Sequence, residues 1–430
     1  MFRRFLIIPV ILTLISVAPS EVFCSETLDT IEFGGELRLR DEAFNNLRDL
    51  TDTVDDDAGE PVDSTYDNYN FYRFRVRFWA EARPRDNLTL HFRLGHEYRM
   101  GRGENTSGIR DPEGKIGIDN AWARIDRGRL SFTFGRMNLM YGEGFLVFDG
   151  TPADGSGSAY FDALKLTVHT RRGFDVDLFA AKIDEEGFGT DVEDEDLYGI
   201  YSQGEFLHAY ILYRNKRQAT ESGSGTVRPK RETAAFGARL AKLPDFGYRW
   251  AMEGALQIGE VEENDSKGFG GYARFGWNSR RGIKPGFEFG GVYLSGDDRE
   301  TEEYEGWDGF YGEWPKYSEL YVYTMYDNTS RIQPNESGTW TNMFAGWAQA
   351  NIVLNTCRIS GRVTSFHAAE ESTGPGNGTE RGLLIAGRAD IPLGTGVTGQ
   401  LLGEHFSPGD FYEDNADPAW YFRGQITASF

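Results

Sequence analysis

Arginine recurs at every second position in several short stretches of this chain, as at Arg38 and Arg40 and at Arg73, Arg75 and Arg77. Side chains of a β-strand alternate between its two faces, so this spacing places the guanidinium groups on one face. A guanidinium group binds a carboxylate through two parallel hydrogen bonds, and a face lined by arginine therefore attracts anions. The candidate arginines on such faces are Arg38, Arg40, Arg73, Arg75, Arg77, Arg93, Arg99, Arg239, Arg249, Arg274, Arg358, Arg362, Arg388 and Arg423.

Carboxylates on the same predicted faces are fewer; they are Glu36, Glu81, Glu97, Glu253, Glu288 and Glu404. Partial pairing would keep the arginine side chains extended and ordered. Ion-paired arginines also occur inside β-barrels simply because they fill the interior. For any single arginine here, this explanation of its position is as good as anion binding. The excess of arginine over many strands favours the passage of anions through a hydrated pore.

Patterns typical of catalytic or metal sites do not occur in the sequence. The six histidines show no His-x-x-x-His or Cys/His spacing, and in a strand His91 and His96 point to opposite faces. The Ser-Gly-Ser-Gly run at 222–225 resembles a flexible loop rather than a nucleophile elbow, which needs a strand–turn–helix setting. The sequence therefore predicts no enzyme activity, no metal site and no bound cofactor.

These arginines must be positioned by β-strands. The alternation of apolar and polar residues expected of such strands is clearest in the C-terminal segment. Trp420, Phe422, Ile426, Ala428 and Phe430 fall on one face, and polar residues lie between them. A strand with one face against lipid and the other toward a wet lumen has this pattern, which is typical of a transmembrane β-barrel.

The same alternation recurs along the chain, for example over 31–44 and 71–83. Short turns are predicted at 84–87 and near 128, 172, 204, 244, 282, 355 and 394. Longer loops are predicted between them, including 138–160, 260–267 and 296–340. This rhythm predicts an all-β fold, an antiparallel barrel of about eighteen strands with both ends on the periplasmic side. We expect residues 25–430 to form this single domain.

The N-terminus has the features of a secretory signal peptide. Arg3 and Arg4 precede an apolar run over 5–17, and small residues follow. We expect residues 1–24 to be the signal, with cleavage between 20 and 25. No later apolar stretch approaches the roughly 18 to 20 residues of a membrane-spanning helix. Mean hydropathy is only −0.50, as expected when just alternate strand residues are apolar.

Acidic residues give the chain a formal net charge of −22 and crowd into predicted loops at 49–63, 184–196, 260–265 and 297–305. Solvated surface is the simplest interpretation of these segments. They could also bridge divalent cations to lipopolysaccharide, or fold over the mouth of a pore. Their spacing does not match an EF-hand.

Several segments together resemble the alginate export family of outer-membrane barrels. They are 134–144 with 160–166, then 291–298, and finally 404–412. The resemblance extends over most of the mature chain. It implies an eighteen-stranded barrel with an electropositive, arginine-rich lumen, through which alginate leaves the cell in the best-known member.

Arg136 lies within the first of these segments, where a strand ends and a glycine-rich loop begins. If the loop folds inward, it narrows the pore and places Arg136 at the constriction. If it folds outward, Arg136 bonds to a neighbouring carbonyl. The sequence supports both interpretations equally, and Arg136 joins the candidate lumen residues.

The function predicted is that of a monomeric outer-membrane channel for passive passage of an anionic polysaccharide or oligosaccharide. An uptake porin for small anions or sugars is the alternative, and a plugged barrel used for adhesion comes third. The expected partners are lipid, lipopolysaccharide, the anionic cargo and a periplasmic export protein, with no role for nucleic acid.

Overall fold

Eighteen antiparallel strands pair edge to edge in this computed structural model, and the first strand pairs with the last, so the sheet closes into a barrel. The predicted fold class and strand number are confirmed. The strands are β1 (Ile31–Asn45), β2 (Tyr69–Arg85), β3 (Leu88–Gly101), β4 (Gly117–Arg127), β5 (Leu130–Met137), β6 (Phe161–His169), β7 (Asp175–Ile183), β8 (Glu195–Gln203), β9 (Leu207–Lys216), β10 (Arg231–Lys242), β11 (Gly247–Val261), β12 (Asn264–Asn278), β13 (Gly286–Leu294), β14 (Met343–Leu354), β15 (Cys357–His367), β16 (Glu380–Gly394), β17 (Val397–Pro408) and β18 (Ala419–Ser429).

The structure describes residues 31–46, 50, 53–55, 61–63, 69–101, 116–148, 161–183, 195–217, 219–220, 227–228, 230–298, 300–312, 318–320, 341–370, 378–412 and 414–430. The predicted signal segment 1–24 and most of the acidic segments 49–63 and 184–196 lie outside these residues. Two small hairpins belong to the connections, Thr53–Asp55 with Pro61–Asp63 and Ala219–Thr220 with Val227–Arg228. No helix in the described ranges is long and apolar enough to cross a membrane.

The short turns lie at one end of the barrel, where β1 begins and β18 ends, and most of the longer connections lie at the other end. The predicted loop at 260–267 is wrong. β11 continues to Val261 and pairs there with Asn264 of β12, leaving a two-residue turn with Glu262 at a φ of 56°. Continued pairing satisfies the backbone amides and carbonyls even where side chains are charged, so the strands extend past the apolar zone.

The two faces of the barrel differ in the way that the alternation predicts. On β1, Leu37 and Leu39 are 52% and 39% exposed, whereas the intervening Arg38 is 3% exposed. Large apolar side chains such as Phe78, Ile211, Leu256 and Phe422 are likewise exposed on other strands. An apolar outer surface of this kind suits contact with hydrocarbon, and the charged side chains lie inside.

Candidate functional site

Arginines cluster on the inner face where the barrel closes. Arg38 of β1 lies directly opposite Arg75 of β2, and Arg40 lies opposite Arg73. Like charges directly opposite each other across two strands are destabilising. These positions therefore need compensating carboxylates nearby, and the neighbouring strands supply them.

Glu97 of β3 is shared by two of these arginines. Its Oε1 lies 2.5 Å from Arg73 Nε, and its Oε2 lies 3.1 Å from Arg38 Nη2. Arg75 Nε donates to Glu36 Oε1 at 2.7 Å. Glu97 and Glu36 thus hold three guanidinium groups in fixed positions along the inner face.

The cluster extends to the strands on either side. Asp119 Oδ2 lies 2.7 Å from Arg93 Nε and 3.4 Å from Arg77 Nε. Arg423 of β18 pairs with Glu319 at 3.2 Å. We call the following set the basic wall: Arg38, Arg40, Arg73, Arg75, Arg77, Arg93, Arg99 and Arg423. The carboxylates of described residues that pair with it are Glu36, Glu42, Glu97, Asp119 and Glu319.

The opposite wall, on β9 and β10, also carries buried arginines, but a loop carboxylate lies between them. Asp308 Oδ2 is 3.0 Å from Arg214 Nη2 and 3.4 Å from Arg231 Nη1. The backbone of Asp308 is held by Gln257, whose Nε2 donates to the Asp308 carbonyl at 2.6 Å. Burial would raise the pKa of Asp308, but Arg214 and Arg231 outweigh it and hold this pKa below its ordinary value.

A second loop carboxylate, Glu143, neutralises the next two strands of that wall. Arg239 Nη2 lies 3.2 Å from Glu143 Oε2, and Arg274 forms an ion pair with Glu143 Oε1. The Tyr272 hydroxyl donates to Glu143 at 2.9 Å. Arg274 also pairs with Glu288 at 2.6 Å. Arg214, Arg231, Arg239 and Arg274 therefore have counterions inside the protein.

The loops that carry these two carboxylates are joined to each other. Tyr311 N donates to the Leu146 carbonyl, and Phe148 N donates to the Tyr311 carbonyl, each at 3.0 Å. The Phe145 ring lies 5.3 Å from the Trp307 ring, measured between centroids. We call segments 139–148 and 304–312 the inner loop pair. The described part of the predicted loop 138–160 thus folds inward.

Arg136 nevertheless lies on the outer face, so its predicted place at the constriction is wrong. It shares a strand face with the exposed Phe134, and its Nε and Nη2 donate to the two carboxylate oxygens of Asp162 at 2.9 and 2.8 Å. Asp162 shares a strand face with the exposed Leu164. Arg136 Nη1 also reaches the Ile118 carbonyl at 3.3 Å, as the outward interpretation required.

Replacement of Arg136 by glutamine is therefore expected to leave ion selectivity unchanged, because its side chain does not face the lumen. The measurement is the zero-current potential in planar bilayers under a salt gradient. Arg93→Gln is the matched control, since Arg93 belongs to the basic wall, and it should weaken any anion preference. A selectivity change in the Arg136 variant equal to that of the control would contradict the assignment.

The remaining predicted arginines occupy inner positions away from the basic wall. Arg388 pairs with Asp390 at 2.8 Å, and the Arg362 guanidinium lies 4.8 Å from the Trp347 ring centroid. Arg358 lies opposite Asp390, and Arg249 lies opposite Gly276. They do not join one cluster with the others.

Several residues of the site were missed by the sequence analysis. Arg214 alternates with outward Tyr213 on β9, and strict application of the period-two pattern would have found it. Arg231 is the first residue of β10, and strand boundaries are the least certain part of a sequence-based assignment. Glu143 and Asp308 lie in loops, and no local pattern indicates that they face inward.

Ser131, His169 and Asp175 have the spacing of a catalytic triad. Ser131 Oγ lies 2.9 Å from His169 Nε2, and His169 Nδ1 lies 2.9 Å from Asp175 Oδ1. Ser131 Oγ also donates to Asp126 at 2.5 Å and accepts from Arg124 at 3.0 Å. A hydroxyl that donates to a carboxylate has no proton left for the histidine, and Ser131 is buried. We interpret this group as a structural network.

No group of three histidine, cysteine or acidic side chains that could hold a metal ion occurs in the described part of the chain.

Comparisons with known proteins agree with this architecture. A family model described as alginate export matches residues 30–424. The fold is similar to solved Acinetobacter baumannii OccAB2, with TM-score 0.56, 11% identity and coverage of 93% of this chain and 98% of that one. It is also similar to Pseudomonas aeruginosa OpdK, solved with vanillate, with TM-score 0.54, 10% identity and coverage of 93% and 98%.

Pseudomonas aeruginosa OccK11 is a third similar structure, with TM-score 0.53, 11% identity and coverage of 93% and 96%. No curated protein matches the sequence. At these identities the solved structures share the fold alone, whereas the family match covers nearly the whole barrel. The chain belongs to the alginate export family and is an outer-membrane channel of the bacterial β-barrel type.

Proposed function

We propose that this channel gives passive passage to an anionic polysaccharide or its oligosaccharide fragments. The observation that carries the proposal is the basic wall, where eight arginines meet five carboxylates of described residues. A surplus of positive charge along a narrow aqueous path raises the local concentration of anions. The path needs no cofactor and involves no chemical step.

The arrangement of the basic wall suits movement as well as attraction. Arg73, Arg75 and Arg77 follow one another on a single strand face, at steps of roughly 6.6 Å. Their side chains are at most 8% exposed, so they act on a passing anion through the positive potential that they maintain and not as separate binding sites. An anion attracted in this way is not held tightly at any one position, as conduction requires.

The inner loop pair strengthens the proposal by limiting where anions are attracted. Asp308 and Glu143 neutralise arginines of β9 to β12. Among the described residues, arginines therefore outnumber the carboxylates paired with them more clearly on β1 to β3 and β18 than on β9 to β12. We infer that the cargo moves along this side of the lumen.

An uptake porin for small anions or sugars is the second candidate. OpdK, a barrel of similar fold, was solved with vanillate, and the basic wall would suit a small organic anion equally well. Neighbouring genes distinguish the two functions, because a polysaccharide synthase cluster supports export and catabolic genes support uptake. In either case we propose a monomer whose residues 1–24 are removed, with lipopolysaccharide around it and a periplasmic partner in the case of export.

The test is selectivity and block of the purified channel in planar bilayers. We expect a zero-current potential that indicates preference for chloride over potassium, and current blocks when a short oligouronate is added. Oligouronate block with little effect of small organic acids supports the polysaccharide, and the reverse supports the porin. Cation preference, or no conductance at all, would contradict both.

A further inference from the structure

Three aromatic rings lie together on the inner face of β2, β3 and β4. The Trp79 and His91 rings have centroids 6.1 Å apart and planes within 19°, and His91 and Trp122 have centroids 5.0 Å apart and planes within 11°. The short turn at 86–87 joins β2 to β3, and the short turn at 128–129 follows β4, both at the end of the barrel close to the rings. Trp79 follows Arg77 on the same strand face, so the rings lie on the periplasmic side of the basic wall.

The neighbouring strand, β1, has a glycine at the position where the Trp79 ring packs. Trp79 lies opposite Gly34 of β1, and a Cβ atom added to Gly34 would lie 2.3 Å from Trp79 Cε2 and Cζ2. The indole therefore rests over bare backbone at this position. Any side chain at residue 34 would overlap the indole and require it to shift.

The three rings differ in location from the aromatic side chains that outer-membrane barrels place at the membrane interfaces. The aromatic girdles of outer-membrane barrels face the lipid at its two interfaces. Trp420 is of this outward kind and is 46% exposed. Trp79, His91 and Trp122 instead share the inner face with the arginines and are only half-buried there.

The charges next to the rings include an arginine of the basic wall. Trp79 lies opposite Arg93, whose side chain is 18% exposed and pairs with Asp119. Glu81 lies opposite His91, with its Oε2 3.5 Å from His91 Nδ1, and it also pairs with Arg83 at 2.9 Å. An anion at the rings would therefore have Arg93 beside it and would also lie near the Glu81 carboxylate, whose charge Arg83 partly offsets.

We propose that Trp79, His91 and Trp122 form a binding site for one pyranose ring of an acidic sugar chain that enters from the periplasm. A pyranose presents a face of C–H groups, which packs against the negative face of an aromatic ring. Its carboxylate would then reach toward Arg93. The inference rests on the proposed function and deepens it, because these rings would recognise sugar whereas the arginines recognise only charge.

The experiment compares two polyanions of equal charge on single channels in planar bilayers. A short oligouronate or an oligoglutamate is added from the periplasmic side, and the duration of each current block is measured. In the Trp79→Ala/Trp122→Ala variant the oligouronate blocks should shorten about tenfold, while the oligoglutamate blocks stay the same. Trp420→Ala is the matched control and should change neither.

Other outcomes overturn the inference in distinguishable ways. If wild-type channels are blocked by both polyanions and the double variant leaves the oligouronate blocks unchanged, the sugar site is wrong but the anion channel stands. If the double variant shortens both kinds of block equally, the rings act through the pore as a whole and not on sugar. If oligouronate never blocks the wild type, the proposed function fails together with the site. The Trp79→Phe/Trp122→Phe variant retains two aromatic faces and should keep most of the oligouronate block duration. Its conductance would also show that the barrel folds without the two indoles.

Discussion

Replacing Arg73, Arg75 and Arg77 by glutamate is expected to change the channel from anion preference to cation preference. These three arginines are part of the basic wall, where eight arginines meet five carboxylates of described residues. After the replacement the same positions would hold five arginines and eight carboxylates. Because the potential in a narrow pore follows the charge of its lining, the zero-current potential should reverse its sign.

The matched control reverses three arginines outside the inner face. Arg171, Arg172 and Arg281 lie in short turns, so their replacement by glutamate changes the net charge equally and should cause a much smaller shift. Since Glu36, Glu42, Glu97 and Asp119 each lose an arginine partner in the first variant, a glutamine triple variant serves as the milder test, with a weaker anion preference expected. An unchanged anion preference in both inner variants would defeat the assignment of the basic wall.

Replacing Asp308 by alanine is expected to release the inner loop pair from the barrel wall. Arg214 and Arg231, both at most 5% exposed, would lose the carboxylate that they share. Removal of one member of a buried ion pair typically costs about 3–5 kcal/mol. We expect a higher single-channel conductance and a stronger anion preference, because a blocking segment and a negative charge both leave the lumen.

The same loop offers a control for this variant. Glu303 pairs with Lys267 at 2.6 Å, but the two side chains are 43% and 60% exposed, so Glu303→Ala should change conductance little. Acidification gives a second readout. The pKa of Asp308 in the folded protein lies below the unfolded value of about 3.9. Above a pH of about 3.9 the Asp308 carboxylate contributes fully to holding the loop, and this contribution is lost only as the pH falls through the lower, folded pKa. Equal conductance of wild type and Asp308→Ala would show that the loop is held by other contacts.

Much of the barrel could be predicted from the sequence because strand alternation is a local property. Leu37 and Leu39 alternate with Arg38 and Arg40, so their faces follow from the spacing alone. The same reasoning correctly gave eighteen strands with turns at one end, and it placed the arginines of β1 to β3 on the inner face. It failed at 260–267, where a run of acidic residues was taken for a loop although the strands continue through it.

Arg136 shows the limit of that reasoning at the end of a strand. Its neighbours Phe134 and Gly135 gave the strand face, but whether the side chain entered the lumen depended on the path of the following loop. The loop does fold inward, yet Arg136 stays outside because β5 continues to Met137 and gives Arg136 the same face as Phe134, where Asp162 of the adjacent strand pairs with it. That partner is distant in sequence, and its position follows from the register of β5 and β6.

The amino-acid sequence by itself determined the closed sheet, its two chemically different faces and the supply of arginine on the inner one. Only the tertiary structure decided which arginines have loop carboxylates as counterions, since Asp308 and Glu143 come from connections between strands. It also decided that Trp79, His91 and Trp122 meet, because cross-strand register brings them together. Alternation is fixed by backbone geometry within a few residues, whereas counterions and ring contacts depend on how the barrel closes and where its loops enter.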